Sequence, residues 1–251
     1  MLFREKEPDA ESDKGGAPEG EPVLYPDMTP DELRAALAFA EKKLQLVGSI
    51  TRHDVLNQLT AIVGYNELLG MMIEDPKLRT YLERERQAVD KIRRQFHFAK
   101  DYQNIGAASK TWLSLRQLIR QASDEINLEA IKIEDETGKA TLFADPQFIK
   151  VITNIFENSR RHGVKATLIR IFFEDGHEGS RLIFEDNGAG IPAGDKTKIF
   201  ERGFGKGTGW GLFLAREILL FSGMSIRETG EPGHGARFEI SLPADYLRKE
   251  G

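Results

Sequence analysis

Residues 50–59 read Ile50-Thr51-Arg52-His53-Asp54-Val55-Leu56-Asn57-Gln58-Leu59, inside a long run in which apolar residues recur every three or four positions. Such spacing predicts an α-helix. Residues four apart share a helix face, so we expect His53 and Asn57 to lie one above the other. Asp54 follows His53 directly, and its carboxylate can reach the imidazole ring. The stretch therefore predicts a helix that presents a histidine, a carboxylate and an amide together.

A histidine in this setting can take part in a reaction. Its charge changes near neutral pH, and its two ring nitrogens are chemically distinct. A carboxylate on one nitrogen orients the ring and leaves the other nitrogen as a nucleophile. For a lone His-Asp pair, the alternative is a solvated polar face without chemistry, and motifs further along the chain decide between these two interpretations.

The composition is ordinary for a soluble globular protein, with 251 residues of which 40% are hydrophobic and 30% charged. A net charge of −5 gives no basic surface for nucleic acid. The absence of cysteine excludes disulfides, thiol catalysis and zinc–thiolate sites. No apolar run reaches membrane-spanning length, and no signal-peptide pattern opens the chain. A complete protein of this sequence is expected to be cytoplasmic, whereas a fragment could have lost a membrane sensor.

The first part of the chain is predicted to be helical after a disordered, acidic segment at residues 1–28. Thr29 and Glu32 form a capping-box pattern that opens a helix from about residue 30 to 73, roughly 65 Å long. Asp75 is placed to cap a second helix. Each helix has one apolar stripe, and two antiparallel helices of this kind cannot close a core alone. We therefore expect residues 29–104 to form a two-fold dimer with a four-helix bundle.

The second part has a different pattern, after a linker predicted at residues 105–111. Residues 112–247 are expected to form an α+β domain with a mixed or antiparallel sheet and helices on one face. The predicted helices are 115–127, 145–163 and 210–221, and the predicted strands are 132–136, 140–144, 166–174, 181–185, 225–229 and 236–242.

Three motifs in the second part carry further chemistry. In the first, Asn154 and Asn158 are four apart and share a helix face, where their amide oxygens suit a hard cation such as Mg²⁺. Arg161 follows and can meet phosphate charge. The alternative is an ordinary helix with two surface amides.

The second motif is Asp186-Asn187-Gly188-Ala189-Gly190-Ile191. Asp186 ends an apolar strand, where a carboxylate is costly without a partner. It can accept a hydrogen bond from an exocyclic amine such as that of adenine, and Gly188 and Gly190 allow the backbone to approach a flat base closely. The alternative is a simple hairpin turn.

The third motif is the glycine-rich segment from Gly203 to Leu212, whose free backbone N–H groups can bind phosphates where a helix begins. It is not a Walker A loop, because Lys206 is followed by Gly207 rather than by Ser or Thr. It also contains no dinucleotide-binding fingerprint.

Together, in this order, the motifs resemble those of sensor histidine kinases. The His-Asp-x-x-Asn stretch resembles the phosphoacceptor box, and the later motifs resemble the N, G1, F and G2 boxes of the ATP domain shared with gyrase, Hsp90 and MutL. By this resemblance Asn154, Asn158 and Arg161 fall on the N box, Asp186, Gly188 and Gly190 on G1 with Asp186 reading adenine, Phe200 on the F box, and Gly207, Gly209, Gly211 and the following Leu212 on G2.

The resemblance implies a homodimeric kinase that binds ATP and Mg²⁺, with Asn154 and Asn158 as metal ligands. Asp54 would orient and deprotonate His53, which attacks the γ-phosphate. The phosphoryl group would then pass to an aspartate in the receiver domain of a response regulator. Asn57 fits the family's phosphatase signature. Residues 192–208 would form the ATP lid, with Arg202 and Lys206 as candidate cations.

The sequence departs from the family pattern at two positions. ATP-hydrolysing relatives have a general-base Glu where this chain has Asn154, so water activation is expected to be poor. Gln58 replaces a common proline, so no helix kink is predicted there. A non-catalytic, ATP-binding dimeric scaffold and a plain ATPase are the rival functions. His53 with Asp54 argues against the scaffold, and Asn154 argues against the ATPase. His97, which has no acidic neighbour in sequence, is interpreted as a core or seam histidine.

Overall fold

The computed structural model describes residues 28–128, 131–162, 166–176, 179–205 and 209–249. The chain forms two compact units, Met1–Val47 and Gly48–Gly251. The disordered segment predicted at residues 1–28 therefore lies almost wholly outside the described residues. So do Lys206 and Gly207, together with Gly163, the predicted end of a helix.

Helix α1, Pro30–Met72, begins with the predicted capping box. The Thr29 N–H donates to Glu32 Oε2 at 2.7 Å, and the Glu32 N–H donates to Thr29 Oγ1 at 3.3 Å. This reciprocal pairing satisfies backbone donors that the first turn of a helix leaves without partners.

Helix α2, Pro76–Gln103, is capped by Asp75, whose carboxylate accepts hydrogen bonds from two backbone N–H groups of the first turn. Within the second unit, Asn66 Nδ2 donates to the Leu82 carbonyl at 3.1 Å, and Arg52 donates to the Gln103 side chain at 2.9 Å. Many apolar side chains on both helices remain exposed, among them Ile62, Tyr65, Leu68, Leu69, Leu78, Tyr81 and Ile92.

The α+β domain has the predicted sandwich architecture. Its helices are α3, Leu115–Ile126, α4, Phe148–His162, and α5, Gly211–Phe221. Its strands are β1, Thr111–Ser114, β2, Lys132–Asp135, β3, Thr141–Ala144, β4, Leu168–Gly176, β5, Gly179–Asp186, β6, Ser225–Glu228, β7, Arg237–Ser241, and β8, Leu247–Arg248.

The strands form two sheets. The larger has the order β2-β4-β5-β7-β6, in which β2 is parallel to β4 and the other pairs are antiparallel. The smaller has the order β1-β3-β8. Strands β2 and β3 follow each other in sequence around Gly138, but they belong to different sheets. The short strands β1 and β8 were not predicted, because four and two residues are too few to show an alternating pattern.

Alternation along the central strands separates the two faces of the larger sheet. Ile171, Phe184 and Phe238 are buried in the core formed with α3, α4 and α5. The neighbouring positions carry charges that meet across strands, as in the pairing of Glu185 with Arg237. Such alternation is what a sheet covered by helices on one face requires. The Asp186 motif begins at the end of β5, whereas Asn154 and Asn158 lie within α4.

Candidate functional site

The phosphoacceptor stretch lies on the surface of α1. His53 Nδ1 is 3.1 Å from Asp54 Oδ1, and the two side chains are 73% and 66% exposed. Asn57 Nδ2 lies 3.3 Å from each nitrogen of the His53 ring. The structure therefore brings the three predicted residues together. A proton on Nδ1 that is donated to Asp54 leaves the lone pair of Nε2 available for attack.

A cavity of about 1030 Å³ lies over α4 and the start of α5. This volume is at the upper end of the range for small-molecule sites. The predicted site residues on its walls are Asn154, Asn158, Arg161, Gly190, Gly209, Gly211 and Leu212. The three nucleotide motifs, which are separated in sequence, thus meet at one cavity.

The N-box side chains differ in how they are held. Asn154 Nδ2 donates to the Lys150 carbonyl at 2.6 Å, which leaves its Oδ1 free, and this oxygen lies close to Gly211. Asn158 is half-buried on the cavity wall. Arg161 pairs with Glu157 at 3.3 Å. Both asparagines thus line the same cavity.

Asp186 is 5% exposed and each of its oxygens has a partner. Oδ1 accepts from the Gly188 N–H at 2.9 Å and from the Ala236 N–H at 3.0 Å. Oδ2 accepts from Ser159 Oγ at 2.6 Å. Among the described residues, Asp186 is not part of the cavity wall, whereas Gly190, four residues later, is. The carboxylate therefore has a fixed orientation.

Gly235 shows why the turn before β7 can come so close to Asp186. Its φ of +110° favours glycine, and a Cβ built there would lie 1.8 Å from the Asp186 carbonyl oxygen. No side chain can be accommodated without moving one of the two backbones. The same turn provides the Ala236 N–H that binds the carboxylate.

Phe200 lies in a 3-10 helix, Lys198–Phe200, and is buried in the core. Its ring meets Phe238 edge to face, with 6.4 Å between centroids. It therefore anchors the middle of the predicted lid segment to the sheet and does not line the cavity. Arg202, a predicted lid cation, lies over the ring of Trp210 at 5.1 Å.

Helix α2 contributes to the opposite wall of the cavity through His97, Phe98 and Asp101. Phe98 meets Trp210 edge to face at 4.4 Å between ring centroids. Burial raises the pKa of Asp101, although Lys150 and His97 lie near enough to oppose this shift. His97 is exposed at this wall, so it is not a core histidine, and its place at a seam stays a prediction.

Several known proteins are similar to this chain. Residues 144–246 match the family described as histidine kinase-, DNA gyrase B- and HSP90-like ATPase. The signal transduction histidine-protein kinase AtoS of Escherichia coli (strain K12) is 28% identical over 236 residues, covering 88% of this chain and 39% of AtoS. Sporulation kinase A of Bacillus subtilis (strain 168) is 25% identical, covering 88% of this chain and 38% of the relative.

The chain is similar to sensor histidine kinases over most of its length, and residues 144–246 match the ATPase family described above. The resemblance drawn from its motifs is thereby confirmed. The alginate biosynthesis sensor protein KinB of Pseudomonas aeruginosa is 38% identical over 104 residues, covering 39% of this chain and 17% of KinB. This chain thus spans about two fifths or less of the length of these curated relatives.

Full-length ShkA, solved in complex with AMPPNP, has a similar fold. The TM-score is 0.56 at 21% identity, and the match covers 78% of this chain and 46% of ShkA. No helix in the described ranges combines the length and apolar character that crossing a bilayer needs.

Sequence reasoning missed two residues that shape this kinase-family site. Ser159 follows Asn158 directly and binds Asp186, but a serine on a helix gives no signal of a partner 27 residues away. Lys196 pairs with Glu228 beside the turn that holds Asp186. The polarity of Glu228 within a strand was the available signal, because a buried carboxylate needs a partner.

Proposed function

We propose that this chain is the core of a histidine protein kinase. It transfers the γ-phosphoryl group of ATP to His53 and then to an aspartate in the receiver domain of a response regulator. The observation that carries the proposal is the occurrence, in one chain, of the exposed His53–Asp54–Asn57 constellation and an ATPase-family domain. The proposed activity needs ATP, and we propose that it takes place in the cytoplasm.

The proposal divides the chain by role. Residues 29–104 dimerise and carry the phosphoacceptor, residues 105–111 link, residues 112–247 bind nucleotide, and residues 1–28 form an acidic extension. Exposed apolar side chains on α1 and α2 support dimerisation, since large apolar patches mark interaction sites. A homodimer that pairs two antiparallel helices from each chain would bury these stripes in a four-helix bundle.

The cavity is the proposed ATP site, with phosphates near the start of α5. Asp186 is proposed to read adenine from behind the wall at Gly190, since its carboxylate does not itself line the cavity. Mg²⁺ fits the donor set, because Asn154 Oδ1 and Asn158 provide hard oxygen ligands while water and phosphates complete its coordination. When bound, the ion neutralises phosphate charge. Gly188, Gly190, Gly209, Gly211 and Leu212 shape the site, and the role of Lys206 and Gly207 as lid residues stays a prediction.

In the proposed transfer, His53 Nε2 attacks the γ-phosphorus in line with the leaving ADP oxygen. A P–N bond forms as the bond from phosphorus to the β–γ bridging oxygen breaks. Asp54 holds the Nδ1 proton and stabilises the positive charge that develops on the ring. Catalysis is then mainly positioning and charge neutralisation.

The rival hydrolytic function lacks a general base among the described N-box side chains. Asn154 cannot accept a proton, and its amide nitrogen is bound to the Lys150 carbonyl. Glu157 is paired with Arg161. Attack by water at the γ-phosphate is therefore disfavoured, which leaves the phosphoryl group for His53.

Incubation with γ-labelled ATP tests the proposal. The wild-type protein should become labelled, and His53→Ala should not, while its folding and ATP binding are unchanged. His234→Ala is the matched control, since His234 is 80% exposed and is not among the described residues that line the cavity, so labelling should stay intact. Equal labelling of wild type and His53→Ala would refute the assignment of His53.

We also propose that Asn57 serves a phosphatase activity toward the regulator. Its exposed amide lies one turn from His53 and 3.3 Å from the ring, so it can hold a water in line with a phospho-aspartate docked over the same face. This role separates from kinase activity because the amide neither accepts nor transfers the phosphoryl group.

A further inference from the structure

A partly buried ion pair links the predicted lid segment to the turn before β7. Lys196 Nζ lies 2.7 Å from Glu228 Oε2 and also donates to the Gly230 carbonyl. The Glu228 side chain is 0% exposed and that of Lys196 is 23% exposed. Lys196 stands between the Asp186–Ile191 motif and the 3-10 helix that ends at Phe200.

Oε1 of Glu228 accepts hydrogen bonds, whereas Oε2 has an ion-pair contact without a hydrogen-bond partner among the described residues. Oε1 accepts from the Gly230 N–H at 2.9 Å and the Arg237 N–H at 3.2 Å, while Oε2 faces Lys196. A buried ion pair is rarely more stabilising than a well-packed apolar pair, but loss of one partner leaves an uncompensated charge. The Lys196–Glu228 pair is therefore expected to fix one arrangement of the two segments that it joins.

The turn that accepts a hydrogen bond from Lys196 also donates a backbone hydrogen bond to Asp186. The Ala236 N–H binds the Asp186 carboxylate at 3.0 Å, and the Gly233 N–H donates to the Ala189 carbonyl at 2.7 Å. On the other side, Asp195 and Ile199, which are close to Lys196 in sequence, line the cavity. The ion pair thus connects the cavity wall to the backbone that orients the proposed adenine-reading carboxylate.

We infer that Lys196 is a positioning residue for nucleotide binding. It fixes the start of the lid segment to the turn at Gly230–Gly235, so that lid and base site keep one relative geometry. Lys196 itself is not among the described residues that line the cavity, and it acts through Glu228 and Gly230. The inference rests on the proposed ATP site.

Calorimetric titration with Mg²⁺–ATP compares Lys196→Met, Lys196→Arg and the matched control Lys198→Met. Lys198 is exposed on the same segment, two residues away. Loss of a charged hydrogen-bond donor predicts about 10- to 100-fold weaker binding for Lys196→Met. Lys196→Arg should retain most of the affinity, because arginine keeps the charge and the donors, and Lys198→Met should bind like wild type.

Hydrogen exchange with saturating ATP gives a readout that general destabilisation does not predict. Amides at residues 192–205 should exchange faster in Lys196→Met than in wild type, while those in β4 and β5 keep their protection. Uniform loss of protection across the sheet would overturn the positioning role.

A double variant separates positioning from stability. Lys196→Met with Glu228→Gln removes both charges, so its thermal stability should recover toward wild type, whereas ATP binding should stay weak. Wild-type affinity in the double variant would overturn the inference, and so would wild-type affinity in Lys196→Met alone. Failure of the wild-type protein to bind ATP would instead refute the proposed function on which the inference rests.

Discussion

Substitution of Asp186 by asparagine removes one charge from a carboxylate whose partners are all known. The amide oxygen can take the place of Asp186 Oδ1, which accepts from the N–H groups of Gly188 and Ala236 at 2.9 and 3.0 Å. The new NH₂ group then faces Ser159 Oγ, which can rotate its hydroxyl and accept. The fold should therefore survive with a loss of about 1 kcal/mol, the typical effect of weakening one hydrogen-bonded contact.

The effect on ATP binding should be larger. At Oδ2 a charged acceptor is replaced by a donor, which repels an exocyclic amine. A hydrogen bond to a charged group contributes about 1.5–3 kcal/mol, which corresponds to a loss in affinity of about 10- to 150-fold. Inosine triphosphate lacks the exocyclic amine, so its affinity should change much less.

Calorimetric titration with both nucleotides, alongside thermal unfolding, measures the two effects. Asp245→Asn is the matched control, because Asp245 is exposed and is not among the described residues that line the cavity. Affinity for ATP within about twofold of wild type in Asp186→Asn would show that this carboxylate does not read the base.

Four further predictions concern other parts of the chain. Asp54→Asn should keep ATP binding and slow labelling by about 10²–10⁴-fold, the usual range for a lost general base; a change below about twofold would limit Asp54 to a structural role. Asn57→Ala should keep labelling of His53 and lose dephosphorylation of the regulator; unchanged dephosphorylation, or loss of both activities, would contradict this. Burial opposes ionisation of Glu239, but hydrogen bonds from Thr229, Arg227 and Arg237 outweigh it and lower its pKa to about 2. Ionised Glu239 therefore contributes at most about 3 kcal/mol to the free energy of unfolding. This contribution is present above pH 4.5 and is lost as the pH falls toward 2. The urea midpoint should drop over this range in the wild type and should drop less in Glu239→Gln. Sedimentation should find a dimer at micromolar concentration, and a stable, folded monomer would contradict the bundle.

Local sequence signals were sufficient where the structure depends on neighbours in the chain. The capping box of Thr29 with Glu32, the cap at Asp75 and the start of α3 at Ser114 all follow from contacts within four residues. The strand that ends at Asp186 and the helix that carries Asn154 were likewise predictable from the spacing of their apolar residues and the positions of their polar ones.

Contacts between distant segments were not predictable in the same way. Assignment of β2 and β3 to separate sheets depends on pairing with β4 and β1, which no local pattern encodes. The Ser159–Asp186 bond and the Lys196–Glu228 pair join residues 27 and 32 positions apart. Such pairs depend on tertiary packing, so a sequence reveals at most that a buried carboxylate needs some partner.

Mapping the phosphoryl group tests the central claim most directly. The protein would be incubated with Mg²⁺–ATP, digested at neutral or mildly alkaline pH to preserve phosphohistidine, and sequenced by mass spectrometry with electron-transfer fragmentation. We expect one acid-labile phosphoryl group on His53. A phosphoryl group on any other residue, or release of free phosphate without any phosphorylated peptide, would contradict the account.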